Sequence, residues 1–467
     1  MNAHDIVAAV SSRRMSAVEI VRAALDRIGA ATALNAVVTV DAERSLSDAA
    51  NTDRRLQLGE SMLLAGVPVV VKDNIWVGGW RVTQGSRLFA DFVAPCDAIA
   101  VERLKQAGAI VVGMGATSEF ACKGVTTSLL FGPTRHPLNP ELTPGGSSGG
   151  PATAVAADLV PLAIGTDAGG SSRRPPAHVG VVGFKPSYGA IPYGPGFAEP
   201  FFDISVIAPI ARNVADAALA FEAMAGPDAR DSDSALVESG DAGSSDLRIA
   251  FSPNLALDIP VDPVIAERLE AVVEHLGKKG LRIFRRDPIW PQSATEEALM
   301  PLQHAGLARL YGAAFQKDPG QFDPDVANQI ERGLSLRGVE VAAALGASTA
   351  IRAAFADFFC EFDLLLAPTV PCTAWPLVQL GPKMIDGKEV TPRAHAAFTP
   401  FVNHARLPAI SIPCGRNASG LPFGIQIIAR RGQDRMLLRT AMRIEAEICS
   451  CPPRVSQGAR PFRNHWL

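Results

Sequence analysis

The feature that most constrains the fold is a short run, Gly66-Val67-Pro68-Val69-Val70-Val71, apolar without interruption and stopping at Lys72-Asp73-Asn74. A strand with one wet face alternates apolar and polar residues, so an unbroken run predicts a strand covered on both faces. The residues beyond it keep to that architecture. Asp97 reads as the N-cap of a helix through Ala107, closed by Gly108, with a second strand at 109–112. Residues 151–157 read as a helix with Pro151 in its first turn, where a missing N–H costs little, and 160–164 as a third strand. Strands alternating with helices predict the α/β class: one large mixed sheet sandwiched between helices.

The flanks complete this outline. Residues 1–60 read as a helical segment, with apolar residues at three- and four-residue steps from Ser16 to Ile28. The core spans 66–225, and a polar, acidic stretch at 226–245 reads as a surface connection. Strands are expected at 247–251 and 281–284, and Ser293-Ala-Thr-Glu296 matches a capping box opening a mostly helical insertion over 290–360. Strand patterns at 363–366, 409–412 and 424–429, then a helix at 434–447, make 361–467 the completion of the sheet. Length alone would divide 467 residues into about three domains. Strands on both sides of the helical section instead predict a single domain over 1–467 with an insertion.

Composition narrows the partners. Lys and Arg number 44 against 47 Asp and Glu, which argues against a nucleic-acid binder. No run of about 18 apolar residues stands out, so no membrane partner is expected. The N-terminus lacks the apolar core of a signal peptide, and a cytoplasmic location is expected. None of the seven cysteines forms a CxxC pair matched by another, so no metal site is expected; Cys449 and Cys451 read as free thiols.

Chemistry concentrates in one window. Gly145-Gly146-Ser147-Ser148-Gly149-Gly150 places two hydroxyls in a glycine-rich turn before a helix, and Gly165-Thr-Asp-Ala-Gly-Gly-Ser-Ser-Arg173 repeats the device. Such turns can be purely structural. They can also supply a nucleophile with converging N–H donors, as acyl transfer through an oxyanion requires. The window matches the G-x-S-x-G elbow of α/β-hydrolases, but Leu138-Asn-Pro-Glu-Leu-Thr-Pro144 before it cannot be the buried strand that elbow needs. Lys72 closes an apolar run, so burial would depress its pKa and make it a base for a serine, unless it is a surface lysine at a strand end. His178, in Pro-Pro-Ala-His-Val-Gly, reads as a structural loop residue.

Together these motifs resemble the amidase signature family. The resemblance runs through Gly-Val-Pro-x-x-Val-Lys-Asp-Asn from Gly66, Phe131-Gly-Pro-Thr-Arg, Thr143-Pro-Gly-Gly-Ser-Ser-Gly-Gly, and the loop at 165–175. It continues in Gly183-Phe-Lys-Pro-Ser-Tyr-Gly, Leu407-Pro-Ala-Ile-Ser-Ile-Pro-Cys-Gly and Gly420-Leu-Pro-Phe-Gly-Ile-Gln. Lys72 and Ser147 are 75 residues apart and Ser147 and Ser171 are 24 apart, each inside its own motif. The resemblance implies an amidohydrolase with Ser171 as nucleophile, Ser147 as a bridging serine after a cis peptide, and Lys72 as base. It implies an oxyanion hole from the N–H groups of Ala168, Gly169, Gly170 and Ser171, with Ser148, Asp167 and Arg173 in support. Phe120, Ala121 and Cys122 would lie against a small, fairly apolar amide, with no cofactor; dimers are common among such proteins, so a homodimer is allowed.

Departures from the family pattern are His136, Ala168 and Ser172, where Asn, Thr and Ile are usual, and none removes a catalytic group. Cys122 stands where an aromatic residue is common; it either shapes the pocket or packs as core. The A subunits of glutamyl-tRNA amidotransferases are the nearest alternative. They need an acidic residue near the position of Ala396 to hold the glutamine amino group. A non-catalytic anion-binding module built on the same loops is a further alternative. Met300, Leu302, Leu307, Leu310 and Tyr311 could line an apolar pocket or belong to the core.

Overall fold

The predicted doubly covered strand is present at Pro68–Lys72. A computed structural model describes residues 1–235 and 247–451. Its central sheet has eleven strands. In chain order they are β1 (Val37–Thr39), β2 (Pro68–Lys72), β3 (Ile110–Gly115), β4 (Leu162–Asp167), β5 (Val182–Lys185) and β6 (Val206–Ala211), then β7 (Arg248–Phe251), β8 (Arg282–Arg285), β9 (Leu364–Pro368), β10 (Ala409–Arg416) and β11 (Pro422–Ala429). Across the sheet the order is β1-β3-β2-β4-β6-β5-β10-β11-β9-β7-β8. β2 runs parallel to β3 and β4, β9 parallel to β7, and β7 parallel to β8, whereas β4–β6, β5–β6, β5–β10, β10–β11 and β11–β9 are antiparallel. The sheet is therefore mixed, and strands from both sides of the helical section share it.

Every residue of β2, β3, β4 and β6 is buried, which is why these strands are apolar except at the C-terminal ends of β2 and β4, where Lys72, Thr166 and Asp167 stand. The helices that cover them show one apolar face. Helix Ala17–Ala30 buries Ile20, Val21, Ala24 and Ile28, at three- and four-residue steps, and opens with a capping box between Ser16 and Glu19. Helix Asp434–Ser450 buries Leu437, Leu438, Ala441, Ile444 and Ile448 in the same way. The first sixty residues are not wholly helical, because β1 pairs antiparallel with β3 at the sheet edge.

Two expected caps move. The helix after Asp97 spans Ile99–Gln106 with Ala98 as its N-cap, while Asp97 accepts from Gly78 N–H at 2.7 Å and pairs with Lys105. The carboxylate thus ties the incoming loop to the far end of the helix rather than capping its start. The insertion opens at Glu296, not Ser293; Thr295 is the cap and accepts from Ala298 N–H. Its three helices are Glu296–Lys317, Pro324–Ser335 and Gly338–Glu361. The last is long and apolar enough, by length and composition alone, to cross a membrane, although Glu340, Arg352 and Asp357 interrupt its apolar residues. Here its Ile351, Phe355 and Phe359 are buried, with Phe355 edge-on to Trp290. Within the polar connection at 226–245, Ser234 folds back to donate to the carbonyls of Asp228 and Asp231; residues 236–245 lie outside the described residues.

Candidate active site

Strands β2 and β4 are parallel neighbours, with Val71 paired to Ile164, so their C-terminal ends share one edge of the sheet. Ligands in open α/β sheets bind beyond that edge. β2 ends on Lys72 and β4 on Thr166 and Asp167. Two Gly/Ser turns arrive there, one leading into helix Gly149–Ala156 and the other into helix Arg174–Val179. The turns need their glycines. Gly170 has φ +114°, and a Cβ on it would sit 2.1 Å from Thr399 Oγ1. A Cβ on Gly146 would lie 2.6 Å from the carbonyl carbon of Val125.

This edge brings Lys72, Ser147 and Ser171 together. Lys72 Nζ lies 2.8 Å from Ser147 Oγ, and Ser147 Oγ lies 3.0 Å from Ser171 Oγ. The Gly146–Ser147 peptide is cis. Lys72 and Ser147 are wholly buried, whereas Ser171 borders a cavity. Burial pushes the Lys72 ammonium down to about 7, against the opposing pull of Asp167. Thr166 Oγ1 accepts from Lys72 Nζ at 2.8 Å and from Asn74 Nδ2 at 3.1 Å. Lys72 Nζ donates to Ser147 Oγ as well as to Thr166, and in its neutral form the amine has a lone pair with which to accept the Ser147 proton. Thr166 and Asn74 stand inside motifs that sequence reading quoted, yet nothing in spacing gave them this task.

The nucleophile loop is braced from beneath. Asp167 accepts two bonds of 3.0 Å from Arg173, through Nε and Nη2, and both side chains are fully buried. Burial would raise the Asp167 carboxyl, but the Arg173 guanidinium holds it well below the usual carboxylate range. Asn403 Nδ2 donates to the same carboxylate, and Arg173 also donates to the Thr399 carbonyl and the Gln426 side chain. Asp167→Asn would leave a buried guanidinium without its anion, at about 3–5 kcal/mol of stability. A lower urea midpoint for that variant checks this, and an unmoved midpoint contradicts it.

One expected oxyanion donor is otherwise engaged. The Gly170 N–H donates to Asp167 Oδ1 at 2.7 Å, because the loop curls over the carboxylate that braces it. The N–H groups of Ala168, Gly169 and Ser171 are the remaining candidates. Ser148 Oγ donates to the Thr166 carbonyl at 3.1 Å and lies 3.4 Å from Ser172 Oγ, which holds the two serine loops together.

The cavity at Ser171 has a volume of about 70 Å³. Ala121 and Cys122 line it, but Phe120 does not. The Phe120 ring is stacked on Tyr311 at 3.8 Å in a core cluster with Leu307 and Phe322, since φ +51° turns the residue away from the cavity. The insertion residues divide likewise: Met300 and Leu302 line the cavity, while Leu307, Leu310 and Tyr311 belong to that cluster. Burial pushes the Cys122 thiol well up, so at neutral pH it is an uncharged wall. It should therefore resist iodoacetamide at pH 7 while the exposed Cys96, Cys360 and Cys449 react, as peptide mapping would show.

Four further residues find their places. His178 is helical rather than in a loop, fully buried and edge-on to Trp375, and burial holds it down to about 3, so it carries no proton at neutral pH. His136 Nε2 lies 2.8 Å from the His178 carbonyl, while His136 Nδ1 accepts from Leu138 N–H. Ala396 borders the cavity. Arg174, which sequence reading passed over, also lines it.

A buried lysine linked through one serine to a second that opens on a cavity is an arrangement able to perform serine-dependent acyl transfer. The chain belongs to the amidase signature family, whose model, described as Amidase, matches residues 19–438. It is 35% identical to an acylamidase of Rhodococcus erythropolis over 96% of this chain and 95% of that one. It is 36% identical to the A-type subunit of the glutamyl-tRNA(Gln) amidotransferase of Symbiobacterium thermophilum, covering 91% of this chain and 92% of that one. Among solved structures, a bacterial aryl acylamidase superposes with a TM-score of 0.88 at 28% identity, covering 96% of each chain.

Proposed function

We propose that the chain is an amidohydrolase that cleaves a linear amide through an acyl-enzyme on Ser171. The observation that carries this reading is the contact chain from buried Lys72 through Ser147 to Ser171, ending at the cavity. Ser171 Oγ attacks the amide carbonyl, forming an O–C bond while its proton passes to Ser147 Oγ and that of Ser147 to neutral Lys72. The carbonyl oxygen becomes an oxyanion facing the N–H groups of Ala168, Gly169 and Ser171. Collapse breaks the C–N bond, and the proton returns from Lys72 through Ser147 to the leaving amine. Water then attacks the ester with the same relay, freeing the acid and restoring Ser171.

The amidotransferase subunit is the second reading, favoured by relatives such as that of Symbiobacterium thermophilum. A glutaminase must hold an α-ammonium as well as an α-carboxylate. Among the described cavity residues the one carboxylate is Glu296, which accepts from Arg393 Nε at 2.7 Å, and Ala396 supplies no charge. That supports a stand-alone hydrolase. A neutral fluorophosphonate probe, followed by peptide mapping, should place an adduct on Ser171. A panel of aryl amides, aliphatic amides, esters and glutamine should show turnover of amides other than glutamine. No adduct on Ser171 would overturn the acyl-enzyme, and release of ammonia from glutamine alone would favour the second reading.

A further inference from the structure

We propose that the amide cleaved here carries a carboxylate and that Arg174 binds it; the inference rests on the amidohydrolase reading and names its substrate class. Arg174 stands three residues after Ser171, lines the same cavity, and is only 6% exposed. A guanidinium offers five N–H donors, and burying it without partners is costly. Yet the hydrogen bond described for it is one long contact, Nη2 to the Gly146 carbonyl at 3.5 Å, and its Nε has no acceptor among the described residues.

The neighbouring carboxylates are already engaged. Asp167 is held by Arg173 at 3.0 Å and Glu296 by Arg393 at 2.7 Å, while Lys123 of the cavity wall pairs with Asp323 at 2.5 Å. The cavity histidines add no charge, since burial holds His404 down to about 4 and His395 well below its usual value. Burial and the nearby Arg393 lower Arg174 itself only to about 10, so it stays cationic at neutral pH. The cavity wall therefore carries one surplus positive charge beside the nucleophile. A structural arginine would have its donors filled, as Arg173 does. Arg174 has no acceptor at Nε and only the long contact to Gly146 at Nη2, on a planar fork that matches a carboxylate in two parallel hydrogen bonds.

The experiment compares two matched pairs: succinamate with butyramide, and N-acetylglycine with N-propylacetamide. The anionic member of at least one pair should be favoured about 100-fold in kcat/KM, as expected for a desolvated charge pair. Arg174→Gln should bring that ratio toward one, mainly through KM, and Arg174→Lys should restore part of it. Because Arg174→Gln could fail to fold, the wild-type protein gives an independent readout: succinate should slow fluorophosphonate labelling of Ser171, and neutral butyramide at equal concentration should do so far less. No preference for the anion in either pair, or a preference that survives Arg174→Gln, would overturn the proposal. Absence of labelling in the wild type would instead overturn the acyl-enzyme reading.

Discussion

Ser171→Ala is expected to lower kcat for amide hydrolysis by at least about 10⁴-fold and to remove the fluorophosphonate adduct altogether. The size of the effect follows from what is left. Ser147 is wholly buried and committed to Lys72, and Ser172 is buried with its hydroxyl donating to the Thr166 carbonyl at 3.0 Å. Neither can reach a carbonyl placed over the 168–171 loop. Retained hydrolysis in this variant would show that another group performs the attack. The fold should survive, since the change removes one oxygen at the edge of a cavity.

Lys72→Met should lower kcat/KM by about 10²- to 10⁴-fold at neutral pH, the range general-base catalysis supplies. The pH dependence is the sharper readout. Lys72 acts as the neutral amine, so below its pKa of about 7 the wild-type rate should fall tenfold per pH unit, and above it level off. Other buried groups have values there too: burial brings Lys185 down and Asp73 up to about 7. Lys185 donates to the Pro186 carbonyl, and Asp73 accepts from Thr83, so neither faces the serines. Loss of the acidic limb in Lys72→Met would assign it to Lys72. Its persistence would assign it elsewhere and refute the base role. Methionine suits the test because it nearly fills the volume without a charge to bury.

Much of the fold was legible because burial on both faces leaves an unmistakable mark. The runs at 67–71, 109–112 and 162–165 carry no polar side chain, as no surface strand could. Helix starts were less legible. Asp97 and Ser293 both look like caps, but a cap is decided by where the chain turns, and the turns fall one and two residues later, at Ala98 and Thr295. The site was legible as far as its motifs, since Lys72, Ser147 and Ser171 are named by their surroundings. Phe120 was misplaced because adjacent residues in a tight turn point in different directions. Gly170 was counted as a donor because sequence does not show which N–H a buried carboxylate will take.

By itself, then, the sequence determined the class of fold, the two glycine-serine turns and the three residues that meet between them. The fold class and the turns follow from local properties, apolar runs and clustered glycines, whereas the three residues follow from motifs that resemble those of the amidase signature family. Tertiary structure alone decided the charge of the cavity. Arg173 and Arg174 are adjacent and identical in type. One is matched to Asp167 and Asn403 from below, and the other is left over beside Ser171. Asp167, six residues before Arg173, supplies its anion, and Asn403 and Gln426, 230 and 253 positions away, complete its cradle only once the sheet has formed.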